Sequence, residues 1–191
     1  MAKQFPDIND THRDFMERQK IFFVASAAAG THVNLSPRST DSFRVIDRVR
    51  VAYLDRTGSG NETASHLNNG GRITIMLCAF DSKPLIMRLF GEGIVHHRTS
   101  DIFRDILSEH FGGTAPLGTR QIVTLDVEML QTSCGFGVPL FDYEGERPTL
   151  DRWADAKGAD GLLAYQREKN QISLDGLPSG LFDHEDASVR A

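Results

Sequence analysis

The chain has 191 residues, 40% hydrophobic and 25% charged, the make-up of one ordinary globular domain long enough to bury a core. Its net charge of −5 comes from 26 acidic and 21 basic residues, and the lack of a concentrated basic stripe argues against a nucleic-acid surface. Cys78 and Cys134 make neither a disulfide framework nor zinc spacing. No stretch approaches the roughly 18 apolar residues of a membrane span, and residues 1–7 have no apolar core of a signal peptide. The expectation is a reduced, cytoplasmic protein with no membrane or nucleic-acid partner.

In chain order, Asp10 or Thr11 caps a first helix reaching about Lys20. Residues 21–25 read as a buried strand broken by Gly30, and residues 32–36 alternate polar and apolar as a half-buried strand should. Pro37 is expected to end that strand, because proline cannot donate to a ladder. Residues 42–46 and 49–54 predict two more strands joined by a turn at Asp47-Arg48. A short helix comes next over 61–67 and stops at Asn68-Asn69-Gly70-Gly71. Residues 72–80 predict a strand, and 85–97 a long strand with a bulge or bend at Gly91 and Gly93. Thr99 or Ser100 caps a helix through Phe111, whose apolar residues Ile102, Phe103, Ile106 and Leu107 share one face. Residues 121–129 form the last strong strand. These short antiparallel strands, with glycine kinks and two inserted helices, predict a closed or nearly closed barrel. From Gln131 onward Gly, Pro and charge dominate. Two short helices are expected there, near Trp153 and over 163–168, in a tail too small to be a second domain.

The segment Leu54-Asp55-Arg56-Thr57-Gly58-Ser59-Gly60-Asn61-Glu62-Thr63 carries the chemistry. A strand runs through glycines and hydroxyls into a helix, whose first amides lack internal partners and point with the helix dipole at whatever lies ahead. A phosphate suits that place. The alternative is that Ser59 and Glu62 satisfy the same amides as a capping box. Three common catalytic signatures are missing: the Gly-x-Ser-x-Gly elbow, the helical His-Glu-x-x-His and the Gly-x-x-x-x-Gly-Lys loop. His96 and His97 are adjacent on a strand and point to opposite faces, so no metal site is expected from them. Cys134 reads as a loop cysteine without a cationic neighbour. Phe136 reads as an anchor of the tail on the barrel or as a lid over a ligand, and Trp153 as a packing anchor.

Taken together, His32-Val33-Asn34-Leu35-Ser36-Pro37, Val51-Ala52-Tyr53-Leu54-Asp55, Thr57-Gly58-Ser59-Gly60-Asn61-Glu62-Thr63, the strand from Arg72, and Arg88-Leu89-Phe90-Gly91-Glu92-Gly93 resemble the pyridoxamine 5′-phosphate oxidase-related family of flavin-binding split barrels. Ser133-Cys134-Gly135-Phe136-Gly137-Val138-Pro139 and the run from Lys169 to Pro178 resemble an uncharacterised branch of it. The resemblance implies a mainly β (α+β) fold: a six-stranded antiparallel split β-barrel over residues 21–130 with inserted helices. Residues 131–191 would be a helical C-terminal tail of the same 1–191 domain, packing on the barrel or on a partner subunit. It also implies a homodimer with FMN between its subunits. A deazaflavin or haem are the other cofactors that such barrels accommodate.

Carried over by position, the resemblance places His32, Val33, Asn34 and Ser36 along one wall of the flavin site. Asp55, Thr57, Ser59, Asn61 and Thr63 would surround the ribityl phosphate or the ring, with Arg88 as a phosphate or ring contact. Two departures from the family pattern matter. Glu62 stands where the family has basic residues, leaving charge neutralisation to Arg38, Arg56, Arg88 or the second subunit. The Arg-Trp tail segment is not matched either, since Arg152-Trp153 sits in another context, which argues against pyridoxine phosphate as substrate. The implied function is an FMN-dependent oxidoreductase acting on an unidentified small molecule, the flavin itself carrying the electron step. A flavin carrier or sensor without turnover, and a cofactor-less interaction domain, are the alternatives.

Overall fold

A computed structural model describes residues 2–183; residues 184–191 of the expected tail lie outside the described residues. Eight strands form one antiparallel sheet: β1 (Lys3–Phe5), β2 (Ile21–Ala27), β3 (Asn34–Ser39), β4 (Phe43–Val45), β5 (Arg50–Arg56), β6 (Arg72–Cys78), β7 (Ile86–His97) and β8 (Thr119–Ser133). The order is β3-β2-β6-β7-β8-β5-β4, with β1 alongside the far end of β8. Among the described residues four α-helices accompany it: α1 (Asp10–Arg18), α2 (Glu62–Asn68), α3 (Asp101–His110) and α4 (Thr149–Lys169). This is a mixed α+β fold built on a curled antiparallel sheet.

Alternation along the strands decides which face is buried. Phe22 and Val24 of β2 lie opposite Leu77 and Ile75 of β6, which lie opposite Met87 and Leu89 of β7. All six are fully shielded from solvent and merge with Val51, Tyr53, Val123 and Leu125 into the main core. Their neighbours in sequence point to the other face, as a period of two requires. On that second face Ala52, Leu54 and Ile122 pack beneath Phe103 of α3. Ser100 caps α3 as expected, its Oγ accepting from the Phe103 amide at 3.2 Å. At the start of α1, Asn9 and His12 form a reciprocal capping pair, and Phe15 and Met16 are buried beyond it.

The sheet departs from the expected six-stranded barrel in three ways. β1 has three residues, too few to show a periodicity, yet pairs with β8 from Leu130 to Thr132. β3 runs through Pro37 to Ser39 instead of ending at the proline. It is an edge strand, where a missing donor costs no second ladder. The two edges, β3 and β4, do not pair with each other, so the sheet curls without closing. A salt bridge from Arg38 on β3 to Asp55 on β5 spans part of the open side. The two helices expected in the tail meet end to end as α4, broken by a kink at Gly158, whose φ of 65° and ψ of 175° are not helical. Trp153 packs edge-on against Tyr165 across that kink, the ring centroids 5.2 Å apart.

The ladders on either side of β8 are each interrupted once. The ladder to β7 shifts between Phe90 and Gly91, as the glycine signal predicted. A Cβ at Gly91 would lie 1.8 Å from the Asp126 carbonyl oxygen, so only glycine fits. The ladder to β5 shifts between Asp55 and Arg56, which face Gln121 and Thr119, so that Arg120 is the extra residue.

Candidate functional site

The bulge at Arg120 explains the most polar part of the interior. In a regular strand Arg120 and Gln121 would point to opposite faces. Here both reach the same Asp55 oxygen, Arg120 through Nε and Gln121 through Nε2, each at 2.7 Å. The other Asp55 oxygen lies 2.7 Å from Arg38 Nη2. Burial alone would push the Asp55 carboxyl up, but Arg120 and Arg38 together hold it below its ordinary value. Burial likewise works against the Arg38 charge, and Asp55 outweighs it, raising that guanidinium. Arg38 also lies over the Tyr53 ring, 5.0 Å from its centroid. The Tyr53 hydroxyl is itself pushed up, first by burial. Two guanidiniums thus face the one Asp55 carboxylate, and Glu62 adds a second acidic group to the lining of the cavity beside them.

Above the triad lies a cavity of about 260 Å³, lined by Asn34, Ser36, Arg38, Asn61, Thr63 and Arg120 among others. Two buried donors in its wall have no hydrogen-bond partner among the described residues, Arg38 Nε and Asn61 Nδ2. Asn61 is only 2% exposed, and its Oδ1 is already taken by Gln121 Nε2 at 2.8 Å. An unpaired buried donor costs free energy of about 1–3 kcal/mol, which an anion in the cavity removes. The capping box, the alternative to a phosphate at this turn, is not formed. Asn61, not Ser59, occupies the cap position of α2 and makes no side-chain cap. Glu62 turns instead to the tail, its two carboxylate oxygens accepting from the Leu174 amide at 3.2 and 3.1 Å.

The residues singled out from the sequence fall into three groups. Asn34, Ser36, Ser59, Asn61 and Thr63 line the cavity. Thr63 Oγ1 ties it to the sheet, accepting from Asn34 Nδ2 and Ser26 Oγ, both at 3.3 Å. Asp55 and Thr57 are buried behind it. Asp55 serves the arginines, while Thr57 donates to the Gly118 carbonyl and accepts from Gln166 of α4, both at 2.7 Å. His32, Val33 and Arg88 lie apart. His32 is clamped by Asp175 of the tail at 2.6 Å, and Val33 is 72% exposed. Arg88 alternates with the buried Met87 and Leu89, so it stands on the opposite face of the sheet from Asn34, Ser36 and Arg38. There it donates to Ser133 Oγ at 3.3 Å.

Phe136 is 81% exposed, so among the described residues it is not a buried anchor of the tail on the sheet. Among the described residues no group of three or more His, Cys, Asp or Glu is placed to hold a metal ion, and no helix is long and apolar enough to cross a membrane. Arg120, Gln121, Gln166 and Asn170 were not singled out from the sequence. Gly118, with φ +84°, is the one local sign of the irregular strand start that brings Arg120 inward.

No protein-family model matches the chain. Over 190 aligned residues, however, it is 40% identical to the pyridoxamine 5′-phosphate oxidase family protein ustO of Aspergillus flavus, covering 91% of this chain and 76% of that protein. The chain belongs to the pyridoxamine 5′-phosphate oxidase family. Solved structures agree on the fold. A Lactobacillus delbrueckii protein provisionally assigned as a pyridoxamine 5′-phosphate oxidase superposes with a TM-score of 0.53 at 16% identity, over 66% of this chain and 94% of its own. A variant of HupZ from Group A Streptococcus gives 0.52 at 18%, over 66% and 99%. In this family member, then, the Arg38–Asp55–Arg120 corner and the unpaired donors beside it lie within the family's split-barrel fold.

Proposed function

We propose that the chain is an FMN-dependent oxidoreductase acting on a small molecule, with the flavin phosphate in the cavity above Asp55. Family membership supports a flavin. The observation that supports its position is the pair of unpartnered buried donors, Arg38 Nε and Asn61 Nδ2, in the wall of one cavity that Arg38 and Arg120 also line. Those donors, with Ser59 at the rim and Arg120 at the base, suit a dianionic phosphate. FMN, when bound, supplies the hydride or electron transfer. The chain's part is to fix the phosphate, keep water from the arginine pair and orient the ring.

At about 260 Å³ the cavity is smaller than the roughly 300–1,000 Å³ of complete ligand sites, which supports a second copy finishing the pocket in a homodimer. Arg88, on the far face of the sheet, meets the flavin in this reading only as a contribution from the partner. The free thiols of Cys78 and Cys134 are in keeping with a cytoplasmic setting.

The test is titration of the purified protein with FMN, monitored by flavin fluorescence. Saturable quenching is expected. Asn61→Asp keeps the acceptor for Gln121 but replaces the unpaired donor with a repelling oxygen, and should weaken binding on the order of a hundredfold. Equal affinity in Asn61→Asp would show the phosphate to lie elsewhere, and no binding by the native protein would end the flavin reading. Bleaching of the bound flavin by a nicotinamide cofactor, with recovery on adding an acceptor, separates an oxidoreductase from a carrier.

A further inference from the structure

The C-terminal tail reaches the cavity through one residue. Asn170, at the end of α4, is fully buried, and each of its polar groups is used. Its Oδ1 accepts from Arg120 Nη1 at 2.7 Å, and its Nδ2 donates to the Gly58 carbonyl at 3.0 Å. Its amide donates to the Gln166 carbonyl at 2.8 Å, and its own carbonyl accepts from Ser179 Oγ at 2.6 Å. One side chain therefore joins the guanidinium at the base of the cavity to the glycine loop along its rim.

The flanking contacts take the same path. Gln166 Nε2 donates to Thr57 Oγ1 at 2.7 Å. The turn over 171–179 is held to α2 by the Leu174 amide on Glu62 and by Asn68 Nδ2 on the Ser179 carbonyl at 2.7 Å. It is held to the start of β3 by the His32 amide on Asp175 at 3.0 Å. None of these tail residues lines the cavity except Leu174, which is 80% exposed at its mouth.

We infer that Asn170 is a positioning residue for the anion site, clamping Arg120 and the Gly58–Asn61 loop together so that tail docking and ligand binding are coupled. The inference rests on the anion-site reading above and adds a tail-borne control to it. A bulged arginine is not fixed by strand alternation. Asp55 holds its Nε and Asn170 its Nη1, two points that set the plane of the guanidinium. Without Asn170 that plane is free to turn and the Gly58 carbonyl loses its donor. By linkage, a ligand that needs the arginine in place must in turn tighten the tail.

Two measurements test this. In the native protein, FMN should slow hydrogen exchange of amides 171–179, although only Leu174 among them borders the cavity. In Asn170→Ala, FMN affinity should fall on the order of tenfold. The same substitution should have no added effect in an Arg120→Lys background, because the two act as one unit. Additive losses, or unchanged exchange over 171–179 on FMN binding, would overturn the clamp and leave the flavin reading standing. If the native protein binds no FMN, the flavin reading falls, and ligand-free Asn170→Ala then decides the clamp. Its amides 57–64 must exchange faster relative to those of β6, and unchanged exchange there refutes the coupling.

Discussion

Two regions of this barrel are equally hidden from water and opposite in chemistry. Around β2, β6 and β7 the interior is Phe22, Val24, Ile75, Leu77 and Leu89, all at 0% exposure. Around the β5–α2 junction it is Asp55, Asn61, Gln121 and Asn170, at 2%, 2%, 0% and 0%. The first is held by the removal of apolar surface from water, which is non-directional and tolerant. The second is held by charges and hydrogen bonds that must all be met, and two of its donors are not. A fold that leaves donors unpaired at such depth gives up stability at that point, which a ligand meeting those donors would restore.

The sharpest way to break the comparison is to injure both regions to a similar degree. Asp55→Ala strands two guanidiniums and should cost about 3–5 kcal/mol. Leu77→Ala leaves a cavity in the apolar interior and should cost about 2–5 kcal/mol. Urea unfolding measures both. The difference shows on adding inorganic phosphate. An anion between Arg38 and Arg120 takes the place of the missing carboxylate, so phosphate should recover a larger part of the Asp55→Ala loss than of the Leu77→Ala loss. Equal recovery in the two variants would mean that the polar region is an internal strut and no anion site.

Acid sharpens the same contrast at smaller amplitude. The Asp55 carboxyl is depressed in the folded protein, so its contribution is fully present above the ordinary value of 3.8 and is lost as pH falls below it toward the folded value. His12 acts earlier. Burial lowers it from the ordinary 6.5 against the opposing pull of Asp7, so its imidazole is preferentially neutral in the folded chain. Stability should therefore begin to fall gently below 6.5 and steeply below 3.8. In Asp55→Asn the steep limb should flatten while the gentle one stays. Denaturant midpoints measured across this range check both limbs.

The apolar region was legible in the sequence and the polar one only in outline. The apolar run in residues 72–80 and the helical spacing in 101–111 predicted strand and helix because burial selects for them, and the Gly91 bulge was expected from its glycine. Asn34, Ser36, Asn61 and Thr63 were reached through the family resemblance, carried over by position. Arg120 escaped because a single bulge inverts the face that alternation assigns to it. Asn170 escaped because its partners Arg120 and Gly58 are 50 and 112 residues away, a pairing that no local pattern encodes. Pro37 misled for a related reason, since whether a proline ends a strand depends on whether that strand lies at the edge.

The two helix starts beside these regions make the finest test. Ser100 caps α3, and removing that acceptor in Ser100→Ala should cost about 1 kcal/mol. Ser59 has the spacing of a cap for α2 but is not its cap residue, and Asn61, which is, leaves the first amides of the helix unbonded by its side chain. Ser59→Ala should therefore leave thermal unfolding unchanged while weakening FMN binding a few-fold through loss of a rim hydroxyl, one neutral hydrogen bond being worth about 1 kcal/mol. Ser100→Ala should do the reverse. A loss of stability in Ser59→Ala comparable to that in Ser100→Ala would mean that the serine satisfies the helix itself, leaving those amides nothing to offer a phosphate.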